Sequence, residues 1–391
     1  AVPRTMPPLP LVARIGIGVL CNYPLALVFR HLPNGTLVKH AASAAAGMAM
    51  TALITSPFHL LHAVTMVLIS YLIMAAAPRR LSGWIVLAYA SLHTLCVHCA
   101  RDGFFAVVVP GLAPVLEHVF HIGEFQIVVM STTLKVSGAA LNWMDGGRED
   151  AGLSKLHSGH RIVSLPDPVR FLGFAFFFPS VLGHPTFYAY QEYEGAAGDS
   201  PSRCNEAPGP VQPVRWRLVF QRLAEGICFG AVHALAPRFK PQCGSGVYEP
   251  VACYLLSVLS LSKFFAFWRV CDGAILIAGL LPSRQLAGPE HFTRMRETLF
   301  APNLPHAVRM WNMPVARFLK VHIFARSPRT MSATTAFLYS ALWHGVAPGY
   351  FVAATSCLFF LSVAQSLQGA RHLVLPEGSG AHVAWCAAGR V

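Results

Sequence analysis

Long runs without charged side chains dominate the hydrophobic pattern of this chain. No Asp, Glu, Lys or Arg lies between Lys39 and Arg79. Because a transmembrane helix needs about 20 apolar residues, this run predicts two helices, with a break near Ser56-Pro57. Three similar runs predict further spans, at residues 80–101, 170–192 and 329–371.

The number of spans follows from these runs and from weaker ones. The run 329–371 fits two helices, broken between Gly345 and Gly349. Shorter or more polar stretches add candidates at 10–30, 103–120, 124–143, 214–236, 249–268 and 270–282. The pattern predicts an all-α, polytopic transmembrane helical bundle of about nine to eleven spans, and residues 1–391 are interpreted as a single membrane domain.

Composition favours lipid as the main solvent of the protein. Apolar residues make up 54% of the chain and charged residues 12%, about half of the 25% that is typical of soluble domains. The mean hydropathy is +0.50. These values exclude a disordered chain, a collagen-like chain and an ordinary cytosolic enzyme.

Most of the ten cysteines lie in apolar runs, where they behave as small hydrophobic residues. Only Cys204 and Cys243 suggest a loop disulfide.

The net charge of +13 comes from 30 basic and 17 acidic residues. The basic residues fall between apolar runs, as in the cytoplasmic loops of membrane proteins, so no nucleic-acid partner is predicted. Segment 283–330 holds eight Arg or Lys residues and two Glu residues, with apolar residues between them. This pattern indicates cytosolic amphipathic helices at the membrane interface.

Some of the weaker candidate spans are short or carry charged residues. Charges at membrane depth are costly, and they usually face a protein interior or a wet cavity. A channel, a transporter or an enzyme with a chamber inside the bilayer would carry such residues. Examples are Glu124, Lys135, Glu225, Lys263, Arg269 and Asp272.

His344 is the strongest candidate for chemistry. It lies in an apolar stretch that has no other strongly ionisable group, and Gly345, Pro348 and Gly349 break the helix just after it. A broken helix at membrane depth is tolerated where it is buried in protein or lines a cavity. Histidine suits a general base near neutral pH, and a structural hydrogen bond between helices is the alternative role.

Asn312 is the second candidate, although an Asn before Met-Pro is most often a helix cap. Together, the two segments resemble the membrane-bound O-acyltransferase family. The matching motifs are Trp311-Asn312 in a basic amphipathic stretch, and Trp343-His344-Gly345 followed by Pro348-Gly349-Tyr350 in an apolar helix. Their form is most similar to the lysophospholipid acyltransferase branch, and the weaker segments 183–193 and 263–279 agree with that branch.

The resemblance implies a catalytic chamber inside the helical bundle. A fatty acyl group passes from acyl-CoA, a co-substrate rather than a cofactor, to the free hydroxyl of a lysophospholipid that enters from the bilayer. His344 is the general base, and Asn312 orients the reacting groups or stabilises the oxyanion. No metal is implied, and the endoplasmic reticulum membrane is the implied location. Residues implied in substrate binding are Trp311, Trp343, Tyr350, Lys263, Trp268, Arg309 and Lys320. Anchoring to lipid headgroups is the alternative role of Arg309 and Lys320, and anchoring at the membrane interface is that of Lys263 and Trp268.

Other functions remain open at this point. An O-acyltransferase with a sterol, diacylglycerol, fatty alcohol or protein acceptor is the main alternative. A transporter is disfavoured because the chain shows no internal symmetry of the kind expected for one. The sequence His98-Cys-Ala-Arg-Asp102 is one residue short of a His-x4-Asp acyltransferase motif, and Cys96 and Cys99 lack the second ligand pair of a zinc site.

Overall fold

The structure is a computed structural model that describes residues 11–122, 126–148, 154–183, 189–198, 213–236, 249–279 and 294–374. All regular secondary structure within these residues is helical, as the sequence predicts. The first nine helices are α1 (Leu11–His31), α2 (Leu37–Met50), α3 (Pro57–Ala76), α4 (Arg79–Arg101), α5 (Phe104–Val108), α6 (Ala113–Phe120), α7 (Ile127–Asp145), α8 (Lys155–Ser158) and α9 (Pro168–Ala175). The other nine are α10 (Phe178–Val181), α11 (Tyr190–Ala197), α12 (Trp216–Leu235), α13 (Glu249–Ile277), α14 (Met295–Leu299), α15 (Leu304–Trp311), α16 (Met313–Phe318), α17 (Ser332–His344) and α18 (Pro348–Val374).

Contacts between Cα atoms divide the chain into two compact units, each of which is described by itself. The first unit contains Ala1–His93 and Ile122–Ser283, and the second contains Thr94–His121 and Arg284–Val391. Helix α4 contributes to both, because its residues from Thr94 onward belong to the second unit. The interpretation of the whole chain as one membrane domain stays a prediction.

Six helices within the described residues are long and apolar enough to cross a membrane. They cover Leu37–Thr55, Pro57–Ala76, Arg79–Arg101, Trp216–Leu235, Val251–Ile277 and Pro348–Leu367. The first of them is α2 continued by a π-helical turn, Thr51–Thr55. The sequence count of nine to eleven is larger because it includes helices, such as α7 and α17, that do not combine the necessary length and hydropathy.

The break between the first two spans lies at Ser56, where the sequence predicts it. The backbone of Ser56 is extended, with φ −163° and ψ 161°, and its hydroxyl accepts a hydrogen bond from the His59 N–H at 3.3 Å. Pro57 is the first residue of α3, a position where a missing N–H costs nothing. The serine cap and the proline together explain why one charge-free run forms two helices.

The span expected at 170–192 is wrong. This stretch contains the short helices α9 and α10 and the start of α11, and Gly183 turns the chain with φ +99°. The aromatic residues of its described part are buried inside the first unit, where α9 packs against α2 and the Phe177 ring lies 5.7 Å from the Tyr193 ring. The run is apolar because it faces protein, and residues 184–188 of the related motif lie outside the described residues.

Two other expectations are also corrected. Residues 103–120 form the short helices α5 and α6 rather than a span. The spans expected at 249–268 and 270–282 form one helix, α13, as far as Ile277. Arg269 and Asp272 do not interrupt α13, because Arg269 pairs with Asp272 at 3.1 Å and with Glu225 of α12 at 2.9 Å. Glu124 and the suggested Cys204–Cys243 disulfide lie outside the described residues.

The first unit surrounds two further basic residues with oxygen acceptors. Lys135, which is 1% exposed, donates from Nζ to the Ala175 carbonyl at 2.9 Å and to the Ser180 hydroxyl at 2.8 Å. Arg79 donates to three backbone carbonyl oxygens, and its guanidinium lies 3.5 Å from the centroid of the Trp143 ring. Lys135 therefore faces a protein interior, as expected for a charge at membrane depth.

Candidate active site

The helix break beside His344 is the central feature of the second unit. Helix α17 ends at His344, and α18 begins at Pro348. Gly345 has φ +136° and ψ −170°, a backbone region that is essentially restricted to glycine. The Gly345 N–H still bonds to the Ala341 carbonyl at 3.1 Å. The sequence prediction of two helices broken after His344 is confirmed. The positive φ of Gly345 changes the direction of the chain directly after α17.

The His344 ring is held between two aromatic side chains. The buried Trp343 ring meets it edge-on, with centroids 4.7 Å apart and an interplanar angle of 61°. The Tyr350 ring, from the first turn of α18, stacks on it at 5.4 Å and 20°. His344 itself is exposed within the described chain. The arrangement restrains the plane of the imidazole and leaves the side chain accessible to another molecule.

The end of α4 supports the same break from a second direction. His98 is buried, and its Nε2 lies 3.1 Å from the Trp343 carbonyl oxygen. Three residues later, Arg101 interacts with the Tyr350 hydroxyl. Its guanidinium also donates two hydrogen bonds to the carboxylate of the neighbouring Asp102, at 2.6 and 2.8 Å. The hydrogen bonds from Arg101 hold the pKa of Asp102 below its ordinary value, so this carboxylate is charged at neutral pH. Sequence reasoning considered these residues only as a failed acyltransferase motif.

Asn312 is a helix cap, as its position before Met-Pro suggests. It precedes α16, and its Oδ1 accepts a hydrogen bond from the Val315 N–H at 3.3 Å. The side chain is half-buried. An asparagine amide has one carbonyl oxygen and one NH2 group. Because the cap uses the oxygen, the NH2 group is the part of Asn312 that can donate to another molecule.

The helices on both sides of Asn312 pack against the helices on both sides of His344. Helix α15, which ends just before Asn312, packs against α18. Helix α16 continues into a π-helical segment, Leu319–Ile323, which packs against α17. The Phe318 ring lies 6.3 Å from the Tyr339 ring of α17. The second unit thus contains both candidate catalytic residues and connects them through direct helix packing.

The other predicted site residues fall into two groups. In the second unit, Trp311 is half-buried at the end of α15, whereas Arg309 and Lys320 are exposed. In the first unit, Trp268 is buried against the rings of Phe264 and Phe265, at 5.8 and 6.4 Å. Lys263 is exposed, and its Nζ lies 5.0 Å from the centroid of the Phe264 ring.

No group of three or more His, Cys, Asp or Glu side chains within the described residues could hold a metal ion. Cys96 and Cys99, which suggested a zinc site, are free thiols in α4. His93, one turn before Cys96 in the same helix, bonds through Nε2 to the Nδ1 of His62 at 2.9 Å.

Comparisons with known proteins agree with the motifs that this site contains. Residues 37–375 match the sequence model of the MBOAT, membrane-bound O-acyltransferase family. A lysophospholipid acyltransferase from Schizosaccharomyces pombe is 23% identical over 380 residues, which cover 88% of this chain and 70% of that protein. Lysophospholipid acyltransferase 2 from Arabidopsis thaliana is 24% identical, covering 92% and 80%, and lysophospholipid acyltransferase 5 from Homo sapiens is 23% identical, covering 92% and 73%. Since the family match includes both candidate catalytic residues and all six apolar helices, this chain belongs to the membrane-bound O-acyltransferase family and is an integral membrane acyltransferase.

Proposed function

We propose that this acyltransferase moves a fatty acyl group from acyl-CoA to the free hydroxyl of a lysophospholipid in the endoplasmic reticulum membrane. The observation that carries the proposal is the accessible His344 at a helix break, with its ring restrained by Trp343 and Tyr350. The names of the relatives support a lysophospholipid acceptor. Acyl-CoA is the donor, and no cofactor or metal takes part.

His344 is the general base of the proposed reaction. Its neutral imidazole takes the proton from the acceptor hydroxyl as the hydroxyl oxygen attacks the thioester carbonyl carbon. The tetrahedral intermediate then collapses, the carbon–sulfur bond breaks, and the proton passes from His344 to the departing CoA sulfur. The products are a phospholipid with a new ester bond and free CoA, and His344 is again neutral.

Asn312 stabilises the oxyanion that forms on the thioester carbonyl oxygen. Its own carbonyl oxygen caps α16, and this bond orients the amide so that the NH2 group is the donor for the reaction. A donor held in place before the reaction stabilises a developing charge without reorganisation. The cap and the catalytic role are therefore compatible, because they use different atoms of one side chain.

The remaining site residues bind the substrates in this proposal. Trp311, Trp343 and Tyr350 shape the chamber around the reacting groups. The exposed side chains of Arg309 and Lys320 attract the phosphates of CoA from the cytosol. Their position in the basic segment 283–330 supports this role. Lys263 and Trp268 contact the acyl chain or anchor α13 at the interface.

The acceptor class is tested by an acyl-transfer assay. Purified protein in detergent or vesicles receives labelled oleoyl-CoA with a panel of lysophospholipids, a sterol and diacylglycerol. We expect labelled phospholipid with at least one lysophospholipid and no labelled sterol ester or triacylglycerol. Transfer to the sterol or to diacylglycerol alone would contradict the proposed acceptor.

The role of His344 is tested by two substitutions. We expect His344→Ala and His344→Gln each to lose about 10² to 10⁴ in turnover, because neither side chain can accept the proton. Acyl-CoA affinity should persist in both variants. His118→Ala, at an exposed histidine of α6 in the same unit, is the control and should keep its turnover. Near-normal turnover of folded His344→Gln would rule out the general base.

A further inference from the structure

His98 is buried in the last turns of α4, and it touches the backbone that holds His344. Its relative exposure is 0%, and its Nε2 lies 3.1 Å from the Trp343 carbonyl oxygen. A carbonyl oxygen can only accept a hydrogen bond. The contact therefore assigns the proton to Nε2, and His98 donates to the peptide group that joins Trp343 to His344.

The Trp343 carbonyl is one that needs an external donor. The last four carbonyl groups of an α-helix have no partner within the helix, and Trp343 is the second-last residue of α17. Without a donor, the peptide before His344 would have no restraint at its carbonyl end. The bond from His98 fixes the orientation of this peptide, and with it the direction of the His344 Cα–Cβ bond.

The same ring also limits the space at the break. A Cβ atom built on Gly345 would lie 3.3 Å from both Cγ and Nδ1 of His98, and 3.4 Å from an Arg101 guanidinium nitrogen. The imidazole of His98 therefore packs directly on the Gly345 backbone. On the other side, Arg101 interacts with the Tyr350 hydroxyl, and the Tyr350 ring stacks on His344.

From these contacts we propose that His98 is a positioning residue for acyl transfer: it holds the Trp343–His344 peptide so that the His344 imidazole points at the acceptor hydroxyl. This inference rests on the proposed function, because it gives His98 a role through His344. His98 does not contact the reacting atoms. Its contribution is the orientation of the base, and a misplacement of about 1 Å in a catalytic group can cost about 100-fold in rate.

The experiment compares turnover, KM and thermal unfolding of the full chain with labelled oleoyl-CoA and the best lysophospholipid of the panel. We expect His98→Ala to lower kcat about 10- to 100-fold and to leave KM for both substrates within about threefold, because binding surfaces are untouched. A purely structural role would instead lower the folded fraction, with kcat per folded molecule unchanged.

Two polar substitutions of His98 separate the hydrogen bond to the Trp343 carbonyl from the burial of a polar side chain. Glutamine can place its side-chain NH2 near the position of Nε2, whereas asparagine is too short to reach the Trp343 carbonyl. We expect His98→Gln to retain kcat within about threefold of the unsubstituted enzyme and His98→Asn to fall with His98→Ala. This pair keeps the test decisive even where His98→Ala does not fold. Equal kcat values for the Gln and Asn variants would overturn the proposal.

His93→Ala is the matched control. His93 lies in the same helix and bonds to another histidine, His62, in the first unit. We expect this variant to lose stability and to keep its kcat per folded molecule. If His344→Gln is inactive and folded His98→Ala turns over normally, the positioning role alone is refuted. If His344→Gln keeps normal turnover, the general base fails, and the positioning role is refuted with it.

Discussion

Replacing Gly345 by alanine tests whether the backbone at the α17–α18 break sets the turnover of this acyltransferase. The native φ of +136° and ψ of −170° belong to a region that is essentially restricted to glycine. Holding an alanine there costs about 1–3 kcal/mol. The added Cβ would also press on the His98 ring at 3.3 Å, and this ring is tied to the Trp343 carbonyl.

The chain can respond to this cost in two ways. If the turn keeps its conformation, the free energy of unfolding falls by about 1–3 kcal/mol. If the turn rotates to relieve the strain, the population that holds His344 correctly falls, and turnover drops about 5- to 150-fold, since each 1.4 kcal/mol is a factor of ten. Either response is measurable, and the crowding against His98 favours the second.

The assay measures acyl transfer and thermal unfolding of Gly345→Ala in the same detergent as the unsubstituted enzyme. The control is Gly230→Ala in α12, where the nearest atom to a new Cβ is the Ala266 Cβ at 3.9 Å, an ordinary contact. We expect Gly230→Ala to be at least as stable as the unsubstituted enzyme and as active. The reasoning is refuted if Gly345→Ala also matches that enzyme in both stability and turnover.

Three further predictions concern the cap, the fold and the orientation. Asn312→Asp keeps an oxygen for the helix cap but loses the NH2 donor, so we expect turnover to fall about 10²- to 10³-fold with little change in melting temperature. The control is Asn303→Asp, at the equivalent cap of α15, which should leave turnover intact. Equal turnover of the two variants would contradict the oxyanion role of Asn312. Arg79→Ala removes three charge-assisted hydrogen bonds and should lower the free energy of unfolding by about 2–3 kcal/mol. Arg80→Ala, at an exposed neighbour, should leave this free energy unchanged. An equal loss of stability in both variants would argue against the carbonyl contacts of Arg79. A cysteine introduced at Ser283 should react with an impermeant reagent from the cytosolic side of sealed vesicles, above the background of the native cysteines, and protection on that side would place the basic segment on the opposite face.

Where a charge-free run is long enough to span a membrane on its own, the sequence by itself determined the helix. The run between Lys39 and Arg79 gives α2 and α3, and the run from Arg80 gives α4. The local chemistry of Ser56-Pro57 and of Gly345 placed both breaks correctly. These features depend on a residue and its immediate neighbours, so they can be predicted without tertiary contacts. The Trp-Asn and Trp-His-Gly motifs likewise identified the family before any geometry was available.

Only the tertiary structure decided which apolar residues face protein and which charges are paired. The aromatic run around Phe177 is as apolar as a membrane span, but it packs inside the first unit. The candidate spans 249–268 and 270–282 leave a boundary at Arg269, yet α13 continues through Arg269, which pairs with the Glu225 carboxylate of another helix. Hydropathy describes the side chain itself and not the groups that surround it in the fold. Neither the burial of the aromatic run nor the pairing of Arg269 can therefore be predicted from the sequence alone.

The hydrogen bond from His98 to the backbone beside His344 also could not be predicted from the sequence. His98 lies 245 positions before Trp343 in the chain, and its spacing to Asp102 matches no motif. Its contact with the Trp343 carbonyl arises because folding brings the end of α4 to the end of α17. The sequence alone identified the residue able to take a proton, and the fold supplied the hydrogen bond that orients it, because such a bond requires two segments that only tertiary packing brings together.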